Sequence, residues 1–343
     1  MLKAVQFGQN SGLRVSELAL GTMGFGEPGR GHQGDWTLGY DETRPIIEKA
    51  LESGLFYFDS ADVYGLGTSE ALVGKILREL APREDYVLAT KVAMPMGASP
   101  NNVGLSRKHI MEGVDASLKR LGMEYIDHLV IHRHPHGLPF HVPVPIEEML
   151  EALHDLRKAG KVLYLGASSM FAWQFAELLL TAILHGCSEF ISMEIHYTLI
   201  YREAEGEMLP YCEKAGIAVT PWSPLARGIL AGAYRGSLDA GTTNRSKGMD
   251  KNRTGSLYRG EMDFQIAGRV DAVAEKYGKT SAQISLAWLC QKPGVTAPII
   301  GVSRLEQLEQ LLEAPSIELT EEDVNYLEEL YRPLDNLLSL GMS

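Results

Sequence analysis

The sequence predicts an α/β chain closed as a (β/α)8 TIM barrel, with an extra C-terminal helix and long loops on its active face. Three observations predict it. The length of 343 residues suits one barrel of roughly 250 residues with added loops and tails. Short apolar or β-branched runs alternate with longer amphipathic segments. The runs number eight: residues 15–20, 56–60, 86–92, 126–132, 162–167, 190–196, 218–222 and 297–302. Most are near-continuously apolar, as strands buried on both faces must be. An open doubly wound sheet shares this periodicity, but eight is the barrel's number.

In chain order, helix candidates fill the gaps at 44–52, 69–80, 107–121, 146–158, 173–184, 205–214 and 281–290. Several stop at a glycine suited to a left-handed cap, namely Gly54, Gly122, Gly160, Gly186 and Gly216. Residues 320–331 form an acidic extra helix opened by a Thr-Glu-Glu-Asp cap. The segment 94–106 is rich in Pro, Gly and Asn, and 227–263 is polar and glycine-rich. Both follow strand candidates, which puts them on the face where barrels carry their chemistry. No break in composition divides the chain, so residues 1–343 are expected to form a single domain.

Composition narrows the function classes. With 45% hydrophobic and 22% charged residues, the chain can bury a substantial core, which excludes a disordered protein. Lys and Arg number 32 against 44 Asp and Glu, a net charge of −12, so neither nucleic acid nor an anionic membrane is an expected partner. Three scattered cysteines, Cys187, Cys212 and Cys290, make neither a disulfide framework nor a thiolate metal site. The first residues lack a basic-then-apolar leader, and the most apolar later stretch, 175–184, is interrupted by Glu177. A cytoplasmic location is expected. Monomer and homo-oligomer are both compatible with the sequence.

Ionisable residues mark the strand ends. Phe58-Asp59-Ser60-Ala61-Asp62-Val63-Tyr64-Gly65 follows the second run, and Asp59 ends a buried strand where a lone carboxylate would be costly. The third run ends Ala89-Thr90-Lys91-Val92, with an equally misplaced lysine. The fourth ends Ile131-His132. Taken singly, Asp59 and Lys91 read as a structural ion pair, with Tyr64 and His132 as ordinary rim residues. Three successive strand ends delivering such groups to one rim favour a reactive site instead. A lysine beside a phenol favours phenolate and is expected to lower the Tyr64 pKa from about 10, making it a proton donor for a carbonyl oxygen.

At this point the chain resembles the aldo-keto reductase superfamily, through Phe58–Tyr64, Ala89–Lys91, Ile131-His132 and Gly166-Ala167-Ser168-Ser169. The likeness runs on through Trp222-Ser223-Pro224-Leu225-Ala226-Arg227-Gly228 and Pro298-Ile299-Ile300-Gly301-Val302-Ser303-Arg304. It is nearest the bacterial-type branch that includes the potassium-channel β subunits. The resemblance implies a barrel that binds NADPH (as NADP+ after reaction) without a Rossmann domain, NADH being the less favoured cofactor. It also implies a small-molecule aldehyde or ketone substrate and a catalytic tetrad of Asp59, Tyr64, Lys91 and His132. In that scheme Tyr64 gives the proton, Lys91 and Asp59 tune it, and His132 orients the carbonyl.

For the cofactor, the resemblance matches Thr22, Met23, Asp59, Ser168 and Ser169 to positions near the nicotinamide, and Trp222 to the aromatic on which it stacks. Ser223, Leu225 and Gly228 match the pyrophosphate turn, and Arg245 a basic residue closing over it. Ser303, Arg304 and Gln307 match a helix start that holds a 2′-phosphate. This chain departs from the pattern at Glu194, where relatives have a carboxamide-holding Gln. It departs again at Thr198 and Ala233 in place of Asn and Lys, and at Gln310 and Leu311 near adenine.

Rival readings fit less well. Gly24-Phe25-Gly26-Glu27-Pro28-Gly29 satisfies G-x-G-x-x-G but is followed by irregular chain and not by a helix. His132, His134 and His136, with His196, suggest a metal-dependent barrel hydrolase, but no Asp ends the eighth run. A cofactor-sensing regulatory subunit is the main alternative, yet such subunits tend to carry Asn where His132 stands. A Schiff-base Lys91 would need freedom from Asp59. Loops 24–37, 94–106, 133–143 and 227–263 suggest room for a bulky or xenobiotic ketone.

Overall fold

The computed structural model describes residues 1–31, 36–136, 143–234, 236, 238, 241, 250–258 and 260–333. Eight parallel strands close into a barrel: β3 (Ala19–Gly21), β4 (Tyr57–Asp59), β5 (Val87–Val92), β6 (Ile126–Ile131), β7 (Val162–Ser168), β8 (Phe190–His196), β9 (Ala218–Trp222) and β10 (Ile299–Ile300), with β10 pairing both β9 and β3. A hairpin of β1 (Ala4–Gln6) and β2 (Arg14–Ser16) precedes them.

The run at 15–20, expected as one strand, is therefore two. Val15 belongs to the hairpin and Ala19 and Leu20 to the barrel. The Ser16 hydroxyl donates to the Leu18 carbonyl and accepts from the Phe56 and Tyr57 N–H groups, each at 3.1 Å, which breaks the run into a corner. Phe7 and Val15 are then fully buried against Ala19, Tyr57, Ala89, Ala218 and Ala297. The hairpin closes the amino-terminal end of the barrel, and burying Phe7 contributes about 2–3 kcal/mol.

Helices coat the barrel: α1 (Tyr40–Glu52), α2 (Thr68–Leu80), α3 (Arg107–Leu121), α4 (Ile146–Lys158), α5 (Ala172–Leu184), α6 (Met208–Ala215), α7 (Asp250–Leu257), α8 (Glu261–Tyr277), α9 (Ser281–Cys290), α10 (Leu305–Leu312) and α11 (Glu321–Glu328). The five expected cap glycines all take positive φ. Helix α1 begins before the expected residue 44, with Pro45 inside it. The Gly39 N–H donates to Glu42, and Asp41 and Glu42 complement the first turn. The segment 227–263, expected as one long loop, contains α7 and the start of α8. Helix α8 buries Ile266, Val270, Val273 and Ala274 at helical spacing and opens with the Gly260 N–H on Asp263. The acidic helix α11 is capped as expected, Thr320 accepting from the Asp323 N–H at 3.2 Å. Among the described residues no helix is long and apolar enough to cross a membrane.

The barrel interior is polar at mid-height. His128 is fully buried, with Tyr57 Oη 3.0 Å from Nδ1 and Ser192 Oγ 2.7 Å from Nε2. Gly166 is required beside this network, because a Cβ there would stand 2.3 Å from His128 Nε2 and 2.4 Å from Ser192 Oγ. Burial first, and then the charge of Lys91, lower the His128 pKa to about 3. The ring is neutral at any ordinary pH.

Candidate active site

The carboxyl ends of β4, β5 and β8 bring three ionisable groups into contact. Asp59 ends β4, and the register sets it opposite Ala89, so Lys91 lies two residues further up β5 on the same inward face. The Lys91 Nζ donates to Asp59 Oδ1 and to the Ser60 carbonyl at 2.9 Å, and lies 3.4 Å from Glu194 Oε2. Exposure is 3% for Asp59, 2% for Lys91 and 1% for Glu194. The expected pair is thus a triad. Sequence reasoning matched Glu194 only to a cofactor contact and missed its bond with the lysine, since nothing in one sequence sets the register of β8 against β5.

Tyr64 follows β4 at the start of a tight turn. Gly65, Leu66 and Gly67 take φ values of 56°, 50° and 93° in succession, which folds the chain sharply into α2 and leaves Tyr64 at the rim. Its ring centroid is 5.5 Å from Lys91 Nζ, and the His132 ring stands edge-on to it at 6.2 Å. His132 follows β6, tied by its N–H to the Val92 carbonyl at 3.0 Å. All four expected tetrad residues therefore meet at one rim.

Their electrostatics differ from expectation at Tyr64. Burial pushes the phenol up to about 12; Lys91 pulls the other way, while Asp59 and Glu194 push up with the burial. The expectation of a lowered pKa is corrected, because it counted one cation and neither the enclosure nor the second carboxylate. For Lys91, burial disfavours the charge, but Asp59 and Glu194 outweigh it and hold the ammonium well above its ordinary range. A permanently charged lysine cannot be a Schiff-base nucleophile. Burial, and then the Asp59 charge, raise Glu194 well above the ordinary carboxylate range, against the pull of Lys91.

A further layer lies outside the barrel wall, and sequence reasoning did not find it. Glu70 is fully buried on α2, accepting from the Thr90 hydroxyl and from Arg120 Nε, each at 2.6 Å. Thr90 precedes Lys91, so this bond fixes β5 where the lysine emerges. The only sequence signal was an acidic residue on a face that helical spacing assigns to the core.

The expected cofactor residues fall into two groups. Thr22 is fully buried, its Oγ1 3.0 Å from Ser69 Oγ and its N–H on the Asp59 carbonyl, which docks α2 onto the site; Met23 follows in the turn. Ser168 ends β7 opposite Glu194, and Ser169 accepts from Trp222 Nε1 at 3.0 Å. Trp222 stacks on His196 at 4.2 Å and 8°, and His196 stacks in turn on Tyr201 at 4.1 Å, with Nε2 bonded to Tyr258. His196 therefore steadies Trp222 and does not join His132.

Ser223, Ala226, Arg227 and Gly228 take left-handed backbone, while Leu225 between them keeps a φ of −98°. Turns of this kind can offer N–H groups to an anion; here the Ala226 and Gly228 N–H groups already donate to the Ser223 and Leu225 carbonyls, at 2.8 and 2.9 Å. At the start of α10, Ser303 donates its N–H to the Gln307 side-chain carbonyl at 2.8 Å, beside exposed Arg304 and Gln310. Leu311 faces the core, so it is not a ligand contact. Arg245, parts of loops 24–37 and 133–143, and parts of 227–263 lie outside the described residues.

These residues fit a nicotinamide dinucleotide. Glu194 Oε1 is buried without a hydrogen-bond partner, as are Thr198 Oγ1 and Thr220 Oγ1, and the left-handed turn after β9 suits a pyrophosphate. Among the described residues no group of three metal-ligating side chains comes together. Residues 24–29 form turns and a bridge to Leu38, and the described residues that follow directly, 30 and 31, are not helical.

Comparison with known proteins agrees with this architecture. A Schizosaccharomyces pombe protein provisionally named an aryl-alcohol dehydrogenase is 41% identical, over 95% of each chain. The versiconal hemiacetal acetate reductase of Aspergillus parasiticus is 39% identical over 94% of this chain and 96% of its own. An aldo-keto reductase of Metarhizium robertsii is 39% identical over 94% of this chain and 90% of its own. The model of the Aldo/keto reductase family matches residues 17–332, and the chain belongs to that family.

Proposed function

We propose that the chain, acting as one unit over residues 1–343, is a cytoplasmic NADPH-dependent reductase of aldehydes or ketones, reversible as an alcohol dehydrogenase. The observation that carries this reading is the meeting of Asp59, Lys91, Tyr64 and His132 at one barrel rim, in a family of oxidoreductases. The bound dihydronicotinamide would supply the hydride. Tyr64, kept neutral, would donate its proton to the carbonyl oxygen, and its edge-on neighbour His132 would orient that oxygen. Lys91, fixed by Asp59 and Ser60, would stabilise the phenolate left behind.

Trp222, Ser168, Ser169 and Glu194 would hold the nicotinamide; Ser223, Leu225 and Gly228 the pyrophosphate; Ser303, Arg304 and Gln307 the 2′-phosphate. Arg304, as a cation at a helix start, supports NADPH over NADH. Relatives named for an aryl alcohol and for versiconal hemiacetal acetate support a bulky or aromatic carbonyl. A cofactor-sensing subunit is the second reading, and His132 disfavours it.

Trp222 fluorescence during titration with NADPH and NADH tests this. Tight, NADPH-selective quenching followed by turnover of aryl carbonyls is expected. Absence of quenching by either cofactor would overturn the reading.

A further inference from the structure

The triad at the rim does not balance its own charge. Two carboxylates and one ammonium, none more than 3% exposed, leave one negative charge in excess in a medium that solvates it poorly. The three Lys91 protons already have takers: Asp59, the Ser60 carbonyl and, at the longer 3.4 Å, Glu194 Oε2. Glu194 Oε1 has no partner. The titratable and charged groups that face it are Tyr57 and Asp59 from β4, Lys91 from β5 and Tyr64 from the turn after β4. Its register neighbours on β7 and β9 are the neutral Ser168 and Thr220. A further cation would favour ionised Glu194.

The oxidised nicotinamide ring is such a cation, and the reduced ring is neutral. We propose that Glu194 carries a proton in the free protein and beside NADPH, and releases it to solvent when NADP+ binds. The inference rests on the reductase reading above and extends it: the β8 carboxyl reads the redox state of the ring through charge. A protonated Glu194 also presents one O–H donor and one carbonyl acceptor, the same pair of functions that a Gln amide offers at this position. Burial of Glu194 and the Asp59 charge act in this direction.

The sign follows from linkage. If NADP+ binding expels a proton, NADP+ affinity rises with pH by up to about tenfold per unit wherever free Glu194 is protonated and bound Glu194 is not. NADPH affinity lacks this slope. The 2′-phosphate is common to both cofactors, so its own titration cancels in the comparison.

The test is calorimetric titration of the full chain with NADP+ and with NADPH, in buffers of different ionisation enthalpy, which counts protons directly. About one more proton released with NADP+ than with NADPH is expected. The Glu194→Gln variant should bind both cofactors and lose the difference. Tyr64→Phe should keep it, which excludes the phenol as the source. Equal proton counts in the unaltered protein, or a difference that survives in Glu194→Gln, would overturn this inference alone. Failure of both cofactors to bind would overturn the reductase reading with it.

Discussion

Direct titration of Tyr64 tests whether this site is built around an acid. The phenol is pushed up to about 12, against an ordinary value of about 10. The rise corresponds to a few kcal/mol, roughly, in favour of the neutral form. At pH 8 about one molecule in ten thousand then carries phenolate, where an unperturbed tyrosine would give about one in a hundred. The difference in tyrosinate ultraviolet absorbance between the unaltered protein and Tyr64→Phe, followed upward from about pH 8, isolates this one phenol. No tyrosinate should appear from it below about pH 10.5 in the absence of cofactor. In steady state, carbonyl reduction should hold level with pH until the phenol begins to ionise. Alcohol oxidation, which needs the phenolate, should climb by up to about tenfold per pH unit below that point. Lys91→Met removes the nearest cation and should raise the phenol further, with a fall in kcat of about 100-fold or more. A Tyr64 that titrates at or below 10, or Tyr64→Phe with undiminished turnover, would refute the reasoning.

Three further outcomes follow from the frame. Gly166→Ala should lower stability by about 1–3 kcal/mol, read as a fall in Tm, because its Cβ would stand 2.3 Å from His128 Nε2; an unchanged Tm would show that the barrel interior yields easily. His128 is held at about 3 against an ordinary 6.5, so the folded state binds fewer protons than the unfolded one. Its contribution is full above about pH 6.5 and is lost as pH falls from there toward 3, at about 1.4 kcal/mol per unit. Urea unfolding at pH 7 and 5 should show the loss in the unaltered protein and not in His128→Gln. Glu70→Ala leaves Arg120 and Thr90 without their shared acceptor and should cost about 3 kcal/mol in the same assay; a cost near zero would mean that water replaces the carboxylate.

Much of this was legible because period and strand-end chemistry are local. Runs 190–196 and 218–222 became β8 and β9 with unchanged bounds. The last run, 297–302, shrank to Ile299–Ile300: an apolar stretch shows burial but not where ladder pairing stops. Asp59 and Lys91 could be paired from sequence because each was a charge in an apolar strand and needed the other. Glu194 has the same property, but the lysine appeared already satisfied, so the third partner went unread. The Glu70–Arg120 bond spans 50 residues, and no local pattern encodes it. The Tyr64 pKa failed for a related reason: a sign taken from one neighbour does not survive when burial, first of all, and the Asp59 charge oppose it.

The same opposition explains why a charged site can sit in a barrel core at all. Lys91 is fixed from inside by Asp59, Ser60 and Glu194, while its neighbour Thr90 is fixed from outside by Glu70. Strand β5 is thus held on both faces at consecutive residues, and the ammonium has no second arrangement to relax into. Preorganisation of this kind means that the positive charge is already in place when negative charge develops on Tyr64, so no reorganisation is needed at that moment. Burial alone makes ionised Tyr64 unfavourable. Burial beside a fixed ammonium makes it unfavourable at rest yet stabilised once the proton has gone to an acceptor, which is what a general acid requires. If this is right, Glu70→Ala should lower kcat with little change in KM, because it loosens the position of the lysine without touching the substrate. An equal change in both would place its effect on folding or binding instead.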